Sequence, residues 1–194
     1  MLCNHKLMQE RLKDIADIFT GQTFRSKVEN NPEGEVWAIQ MKDLNENYTD
    51  FSGTPNLVTF RDITSNQLLK RGDILFLAKG NNNIAFQFEL DRPAIAVSLF
   101  FIIRVNSGNV LPGYLTWFLN NHKTQKHLVA NREGAMVYNV KKTILEELEI
   151  DLPDLHTQEM ISNIYKLSIR EEELMKQLIE EKKQLVQSAL TNIL

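Results

Sequence analysis

The sequence predicts an α+β fold: a globular body with a strand-rich centre and flanking helices, followed by a long C-terminal coiled-coil helix. Three observations carry this reading. Short apolar runs bounded by turn residues fill the middle of the chain, as at Val36–Met41, Leu57–Phe60, Ile74–Ala78 and Ala94–Val105. Helix-period apolar stripes lie on either side of them. The last 38 residues, Thr157 to Leu194, read as one helix that follows directly on Leu152-Pro153-Asp154-Leu155-His156. The division is expected at Pro153, with residues 1–152 as the body and 153–194 as the helix.

The helix is the most informative element. Ile164, Leu167, Leu174, Leu178 and Leu185 alternate in steps of three and four once Glu171 and Glu181 are counted with them. That spacing is a coiled-coil seam. At 1.5 Å per residue the helix would run about 57 Å. A rod of this length requires a partner helix from this chain, from a second copy, or from another protein. The competing reading is an amphipathic helix lying along its own body.

Composition narrows the class. The chain has 194 residues, 43% of them hydrophobic and 24% charged, enough for one domain and an appendage or for two small domains. No apolar stretch approaches the roughly 18 residues of a membrane span, and Met1-Leu2-Cys3-Asn4-His5-Lys6 has no signal-peptide core. Cys3 is the single cysteine, so an intrachain disulfide is impossible and a reducing compartment fits. Residues 151–194 hold five Lys/Arg and eight Asp/Glu, whereas the first 150 residues hold 17 of each. The tail is acidic and the body neutral. A body of this balance is no generic polybasic nucleic-acid binder. DNA binding would need its cations sorted onto one face, or a partner that supplies phosphate affinity.

Along the body, Leu12, Ile15, Ala16 and Phe19 predict a helix over 7–19, stopped at Gly21. Residues 25–35 are a loop around Asn30-Asn31-Pro32. Gly72-Asp73 makes a tight turn into a buried strand, and Asn81-Asn82-Asn83 is a polar loop tip. The nearly unbroken run Ala94–Val105 reads as one central strand. Pro112, at a first-turn position, opens a second helix with apolar positions Tyr114, Leu115, Phe118, Leu119 and later Leu128. A loop at Asn131-Arg132-Glu133-Gly134 follows, and Tyr138-Asn139-Val140 and Thr143–Leu152 complete the body.

No catalytic set is evident. His122 and His127 are five apart and diverge on a helix, which makes a poor metal pair. There is no P-loop, no dinucleotide fingerprint and no nucleophile elbow. Glu171-Glu172-Glu173 on the long helix reads as a solvated face. The chain is expected to have no catalytic activity by itself, and neither a metal nor a cofactor of its own.

The order of features resembles one half of the DNA-specificity subunit of type I restriction–modification enzymes. Leu12-Lys13-Asp14-Ile15-Ala16-Asp17-Ile18-Phe19-Thr20-Gly21 resembles the family's opening segment and glycine. Trp37-Ala38-Ile39-Gln40-Met41-Lys42-Asp43-Leu44 resembles its strand with a polar-Asp turn, and Lys70-Arg71-Gly72-Asp73-Ile74-Leu75-Phe76 its Gly-Asp-Ile strand. Pro93-Ala94-Ile95-Ala96 and Tyr114-Leu115-Thr116-Trp117-Phe118-Leu119-Asn120 follow in the expected places. Ile150-Asp151-Leu152-Pro153-Asp154-Leu155-His156-Thr157-Gln158 resembles the Leu-Pro-x-Leu-x-x-Gln lead into the spacer helix. Each piece is weak alone; six in order are specific, and together they span nearly the whole chain.

The resemblance implies a target-recognition domain reading one half of a split double-stranded DNA sequence, and a spacer helix that sets the distance to a second such domain. It implies a cytoplasmic protein of a bacterium or archaeon with two kinds of partner. Methyltransferase (modification) subunits use S-adenosylmethionine to methylate adenine, and an ATP-dependent motor-restriction subunit cuts unmodified DNA. A full subunit of the family carries two recognition domains and two long helices. This chain has one of each, which fits a natural half-subunit, half of a rearranged gene or a truncated piece alike. Two identical copies joined through antiparallel helices would have two-fold symmetry and read inverted half-sites, so a homodimer is expected, with Ile164, Leu167, Leu174, Leu178 and Leu185 at its seam.

Base-edge readers are expected among loop-borne Arg, Lys, Asn and Gln. In order of expectation they are Lys79, Asn81, Asn82 and Asn83; then Gln22, Thr23 and Arg25; then Gln40 and Lys42; then Arg132, Tyr138 and Asn139. Two other readings fit many of the same features. One is a coiled-coil adaptor without a nucleic-acid role. The other is a regulatory protein that occupies DNA without any methylating partner.

Overall fold

The computed structural model describes residues 8–45, 51–59, 63–80, 83–131 and 139–192. Among the described residues nine strands form three sheets: β1 (Met8–Arg11), β2 (Ala16–Thr20), β3 (Val36–Ile39), β4 (Asn56–Val58), β5 (Ile74–Leu77), β6 (Ala85–Gln87), β7 (Ala94–Ala96), β8 (Phe100–Val105) and β9 (Glu149–Leu152). The helices are α1 (Leu12–Ile15), α2 (Pro112–Asn120), α3 (His122–Ala130), α4 (Lys142–Glu146) and α5 (Leu155–Thr191). A four-stranded sheet runs β2-β8-β5-β6, a three-stranded sheet β4-β3-β7, and β1 pairs antiparallel with β9.

The four-stranded sheet is the middle layer. Along β5, Ile74 and Phe76 point into one core with Tyr114, Leu115, Leu119 and Leu128 of the helices, while Leu75 and Leu77 point into the other. That second core holds Val36, Ala38 and Ile39 of β3 and Ala94–Ala96 of β7. A strand covered on both faces has no polar side, which explains why the run at 74–78 does not alternate.

Three sequence expectations are corrected here. The stripe at Leu12, Ile15, Ala16 and Phe19 does not extend into a helix over 7–19. Only one turn forms, with Leu12 and Ile15 fully buried, and the chain then enters β2. A helix of that length is marginal alone, and β8 offers a ladder along Ala16–Thr20 that buries Ala16 and Ile18 and sets Asp17 opposite Arg104. Gly21 consequently ends no helix. It allows a close approach of backbones, since a Cβ there would lie 2.3 Å from the Val97 carbonyl oxygen.

The run Ala94–Val105 is two strands, not one. The chain turns at Val97–Leu99, with Phe100 N donating to Val97 O at 3.0 Å, and passes from the three-stranded to the four-stranded sheet. Ser98 is the lone polar residue between Ala94 and Ile103 and sits at this turn. The second predicted helix is likewise two. Asn121 takes an extended conformation (φ −67°, ψ 153°), and its side chain accepts from Thr124 N at 2.9 Å, capping α3.

The Gly-Asp turn behaves as expected and does more. Gly72 adopts a φ of +94°, which a side chain would resist. Asp73, 2% exposed, accepts from Lys70 N (2.7 Å) and receives a bidentate pair from Arg104 on β8: Nε to Oδ1 at 2.8 Å and NH2 to Oδ2 at 2.6 Å. Arg104 also donates to Leu68 O at 2.8 Å. The hydrogen bond to Asp73 outweighs burial and holds the guanidinium above its ordinary pKa.

The long helix leaves the body as the sequence requires. Asp154 caps it, accepting from Thr157 N at 3.0 Å, and its 37 residues span about 56 Å. Gln158, fully buried, accepts from Leu111 N (2.9 Å) and donates to Asn109 O (2.7 Å) and Pro153 O (2.9 Å). Asn120 brackets Ala85, accepting from its N and donating to its O, and also donates to Tyr165 OH at 2.9 Å. Lys166 pairs with Glu89 at 2.5 Å, and Asn45 donates to Glu173 at 3.4 Å. Tyr114 on α2 donates to Asp151 O, and burial pushes its hydroxyl up to about 12, so it remains a donor throughout the ordinary pH range. No helix among the described residues is long and apolar enough to cross a membrane.

Two stability effects follow. Asp73→Ala strands a largely buried guanidinium and is expected to cost about 3–5 kcal/mol, read as a lower urea midpoint with an unchanged m-value. Gln158→Leu leaves three backbone groups without their partner. It is expected to cost at least about 2 kcal/mol and to raise amide exchange at Leu111 and through the first turns of α5 before the sheets are affected.

Candidate nucleic-acid interface

Residues far apart in sequence meet along one line of backbone hydrogen bonds. Gln22 N donates to Ala96 O at 2.7 Å, and Gln22 bridges Val97 in parallel. Val97 N donates to Ile39 O at 3.0 Å, which brings the residue before Gln40 to the same turn. Two residues on, Leu99 O accepts from Ala78 N at 2.9 Å, and Ala78 O accepts from Val140 N at 2.9 Å. Lys79 and Asn139 then face each other in an antiparallel bridge. Four of the expected readers, Gln22, Gln40, Lys79 and Asn139, are thereby gathered around the Val97–Leu99 turn.

Lys79 is exposed, and Asn139 and Gln22 are half-buried. Thr23 and Arg25 continue from Gln22 as exposed residues, and Lys42 is exposed on the 3-10 turn Met41–Asp43. That turn is held by Asp43, which is buried and accepts from Gln40 N at 2.8 Å. Among the described residues, two buried side-chain atoms have no protein partner: Gln40 Nε2 and Gln87 Oε1. Gln87 lies beneath α2, where its Oε1 would be 3.5 Å from a Cβ at Gly113. Gln40 lies at the candidate edge, half-buried, with its Nε2 turned inward.

Asn83 is a correction. It was expected at a solvated tip, yet it is 1% exposed. Its Nδ2 donates to Leu77 O (2.9 Å) and Ala78 O (3.4 Å), and its carbonyl accepts from Gln125 Nε2 at 2.6 Å. A loop leaving a fully buried strand has carbonyls that need donors, and Asn83 supplies them, so it shapes the loop and has no free amide edge. Asn81, Asn82, Arg132 and Tyr138 lie outside the described residues. The sequence reading missed Ser98 and Leu99, both half-buried at the centre of the edge. The one signal was the isolated polar Ser98 within an apolar run.

The helix supplies a second surface. Residues of α5 that turn toward the body are Gln158, Ile161, Ser162, Tyr165, Ile169 and Glu173. The expected seam is exposed, from Leu174 at 48% to Leu185 at 70%, with Ile164, Leu167 and Leu178 between. At 3.6 residues per turn the two stripes lie roughly 180° apart around the helix. The alternative that α5 simply lies along its own body therefore accounts for the docked stripe of its first half and leaves the seam uncovered. Beyond Glu173 every described residue of the helix is exposed, and Met175, Ile179, Val186 and Leu190 add a second apolar row.

Comparison with solved structures places this architecture. The chain is similar to the type I restriction–modification S subunit from M. genitalium, with a TM-score of 0.60 at 16% identity over 95% of this chain and 45% of that one. It is similar to a chain in a structure described as the basis of complex assembly and conformational transition of the type I R-M system (TM-score 0.65, 18% identity, 94% and 43% covered). The HsdS subunit from Thermoanaerobacter tengcongensis is a third (0.61, 16%, 89% and 39%). At these identities the likeness is one of fold, and the chain spans less than half the length of each. No curated protein matches it. The family described as type I restriction modification DNA specificity domain matches residues 5–184, nearly the whole chain, and to that family this protein belongs.

Proposed function

We propose that this chain is a non-catalytic specificity half-subunit of a type I restriction–modification system. It reads one half of a bipartite double-stranded DNA target and docks methyltransferase subunits, and it serves the motor-restriction subunit through the same complex. S-adenosylmethionine and ATP are used by those partners, in the cytoplasm where the DNA is. The body, residues 1–152, is the recognition domain, and 153–194 is the spacer and dimerisation helix. Two copies join through antiparallel α5 helices, so that their recognition domains meet inverted half-sites. The observation that carries this reading is the exposed seam at Ile164, Leu167, Leu174, Leu178 and Leu185, turned away from the body in a member of the specificity family.

Base reading belongs to the edge around Val97–Leu99. Lys79 and Asn139 are its best readers, with Gln22, Thr23, Arg25, Gln40 and Lys42 beside them, and Asn81, Asn82, Arg132 and Tyr138 stand as candidates from the sequence. Asn83 supports the loop. The coiled-coil adaptor retains one observation in its favour, the zero net charge of residues 1–150.

Two experiments test the proposal. Co-expression with the cognate modification subunit, followed by sequencing of host DNA for methyladenine, is expected to give a split motif with inverted identical halves. Unlike halves would mean pairing with a different recognition domain, and no co-purification would favour the adaptor. In the same system Asn139→Ala and Lys79→Ala are expected to relax the motif at one or two positions, about 1–3 kcal/mol of discrimination each. Separately, the chain at micromolar concentration should have about twice its 22.5 kDa mass. Leu174→Lys with Leu178→Lys should make it monomeric without unfolding the body; a monomeric parent chain would remove the homodimer.

A further inference from the structure

Charge in this chain is unevenly sorted. Between Asp91 and Glu133 there is no Asp or Glu, whereas five Lys/Arg fall in those 41 residues of a chain whose net charge is −3. Two of the five, Lys123 and Lys126, are exposed on α3 together with His122 and His127. The opposite side of α3 is buried, with Thr124 at 5% and Leu128 at 0%. At 3.6 residues per turn, the pairs 122/126 and 123/127 form two adjacent rows on the solvent side. Among the described residues no carboxylate forms an ion pair with any of the four.

The position of this face is as telling as its charge. Gln125 of α3 donates to Asn83 O, fastening the helix against the loop that follows Lys79. Leu128 shares a core with Ala78 and Val140, which flank the Lys79–Asn139 bridge. Lys141, exposed, adds a further cation just beyond Asn139. The basic face of α3 is thus a shoulder beside the edge assigned to base reading.

We infer that α3 is a phosphate-contacting helix. Lys123 and Lys126, with the ring N–H groups of His122 and His127, bind the DNA backbone beside the bases read at the Val97–Leu99 edge. The inference rests on the proposed DNA reading and deepens it. It also resolves the difficulty that a neutral body poses for a DNA binder: the phosphate affinity comes from one acid-free stretch and not from overall charge. Phosphate contacts fix register and orientation and carry no sequence information. The role of α3 is therefore affinity and positioning, separate from target choice.

The test is a salt series on the full chain. Binding to a 30-bp duplex of random sequence is followed by fluorescence anisotropy from about 50 to 200 mM NaCl, the range in which counterion release is legible. Lys123→Gln with Lys126→Gln is compared with Lys182→Gln with Lys183→Gln, which removes the same charge from the far part of α5. The α3 variant is expected to lower the slope of log K against log salt by about 2, roughly one per phosphate contact. The α5 variant is expected to leave it unchanged. All four side chains are exposed, and matching circular-dichroism melts confirm that folding is not the variable. The methyladenine motif of the α3 variant, co-expressed with the modification subunit, should keep the same bases.

Equal slopes for the parent and the α3 variant would overturn the inference while leaving the DNA reading intact. A changed motif would overturn it too, because α3 would then read bases. Loss of co-purification with the modification subunit at an unchanged slope would make α3 a protein-docking face. A parent chain that binds no duplex at 50 mM salt would bring down this inference and the DNA reading together.

Discussion

The fold hangs on one ion pair. Asp73 and Arg104 join the turn before β5 to β8 within the four-stranded sheet, and through Leu68 O the same guanidinium reaches the segment that borders β7. It therefore ties the middle layer to the three-stranded sheet beneath it. Geometry makes the pair effective. It is bidentate, and the second carboxylate oxygen is also met by Lys70 N, so the charge is answered by directed donors and not by proximity alone. A buried pair is costly to form and more costly to break, which makes it a device for specifying one arrangement. Here that arrangement is the relative placement of two sheets whose edges make up the candidate reading surface.

The junction with α5 works by a different principle. The helix is docked to the body largely through polar groups: Gln158 in a pocket of backbone carbonyls and amides, Asn120 and Tyr165, Lys166 with Glu89, and Asn45 with Glu173. Directional hydrogen bonds fix rotation about the helix axis as well as position. The rotation matters because it turns the apolar seam outward. A docking stripe made of leucines would compete with the seam for the same partner; one that mixes Ile161 and Ile169 with Gln158, Ser162, Tyr165 and Glu173 leaves the two faces chemically distinct. A helix sequence with a single moment can serve two surfaces in this way.

The candidate edge has no local origin. Its backbone hydrogen bonds join Gln22 to Ala96, Val97 to Ile39, Ala78 to Leu99 and Val140 to Ala78, and each of them links segments far apart in the chain. The residues that extend from the ends of these elements are mostly polar or charged. This is the arrangement expected where recognition is carried on loops set by a scaffold. Helix α3 is fastened to the same loops through Gln125 with its basic face turned to solvent, so the proposed phosphate contacts and the proposed base readers fall to neighbouring but separate groups.

The α+β class, the Gly-Asp turn and the long helix after Pro153 with its three-four apolar stripe were legible in the sequence by itself. Each of these is decided by neighbours within a turn or two of the chain: a backbone angle or a period of apolar positions. Tertiary structure decided the rest. The stripe at Leu12–Phe19 became one helical turn and a strand because β8 offered a ladder. The apolar run at 94–105 divided because its two ends serve different sheets. Asn83 turned inward because the loop's carbonyls lacked donors. That Gln22, Gln40, Lys79 and Asn139 lie around a single turn could not be read from the chain. Their proximity arises from pairings between strands tens of residues apart, and no local periodicity encodes such pairings.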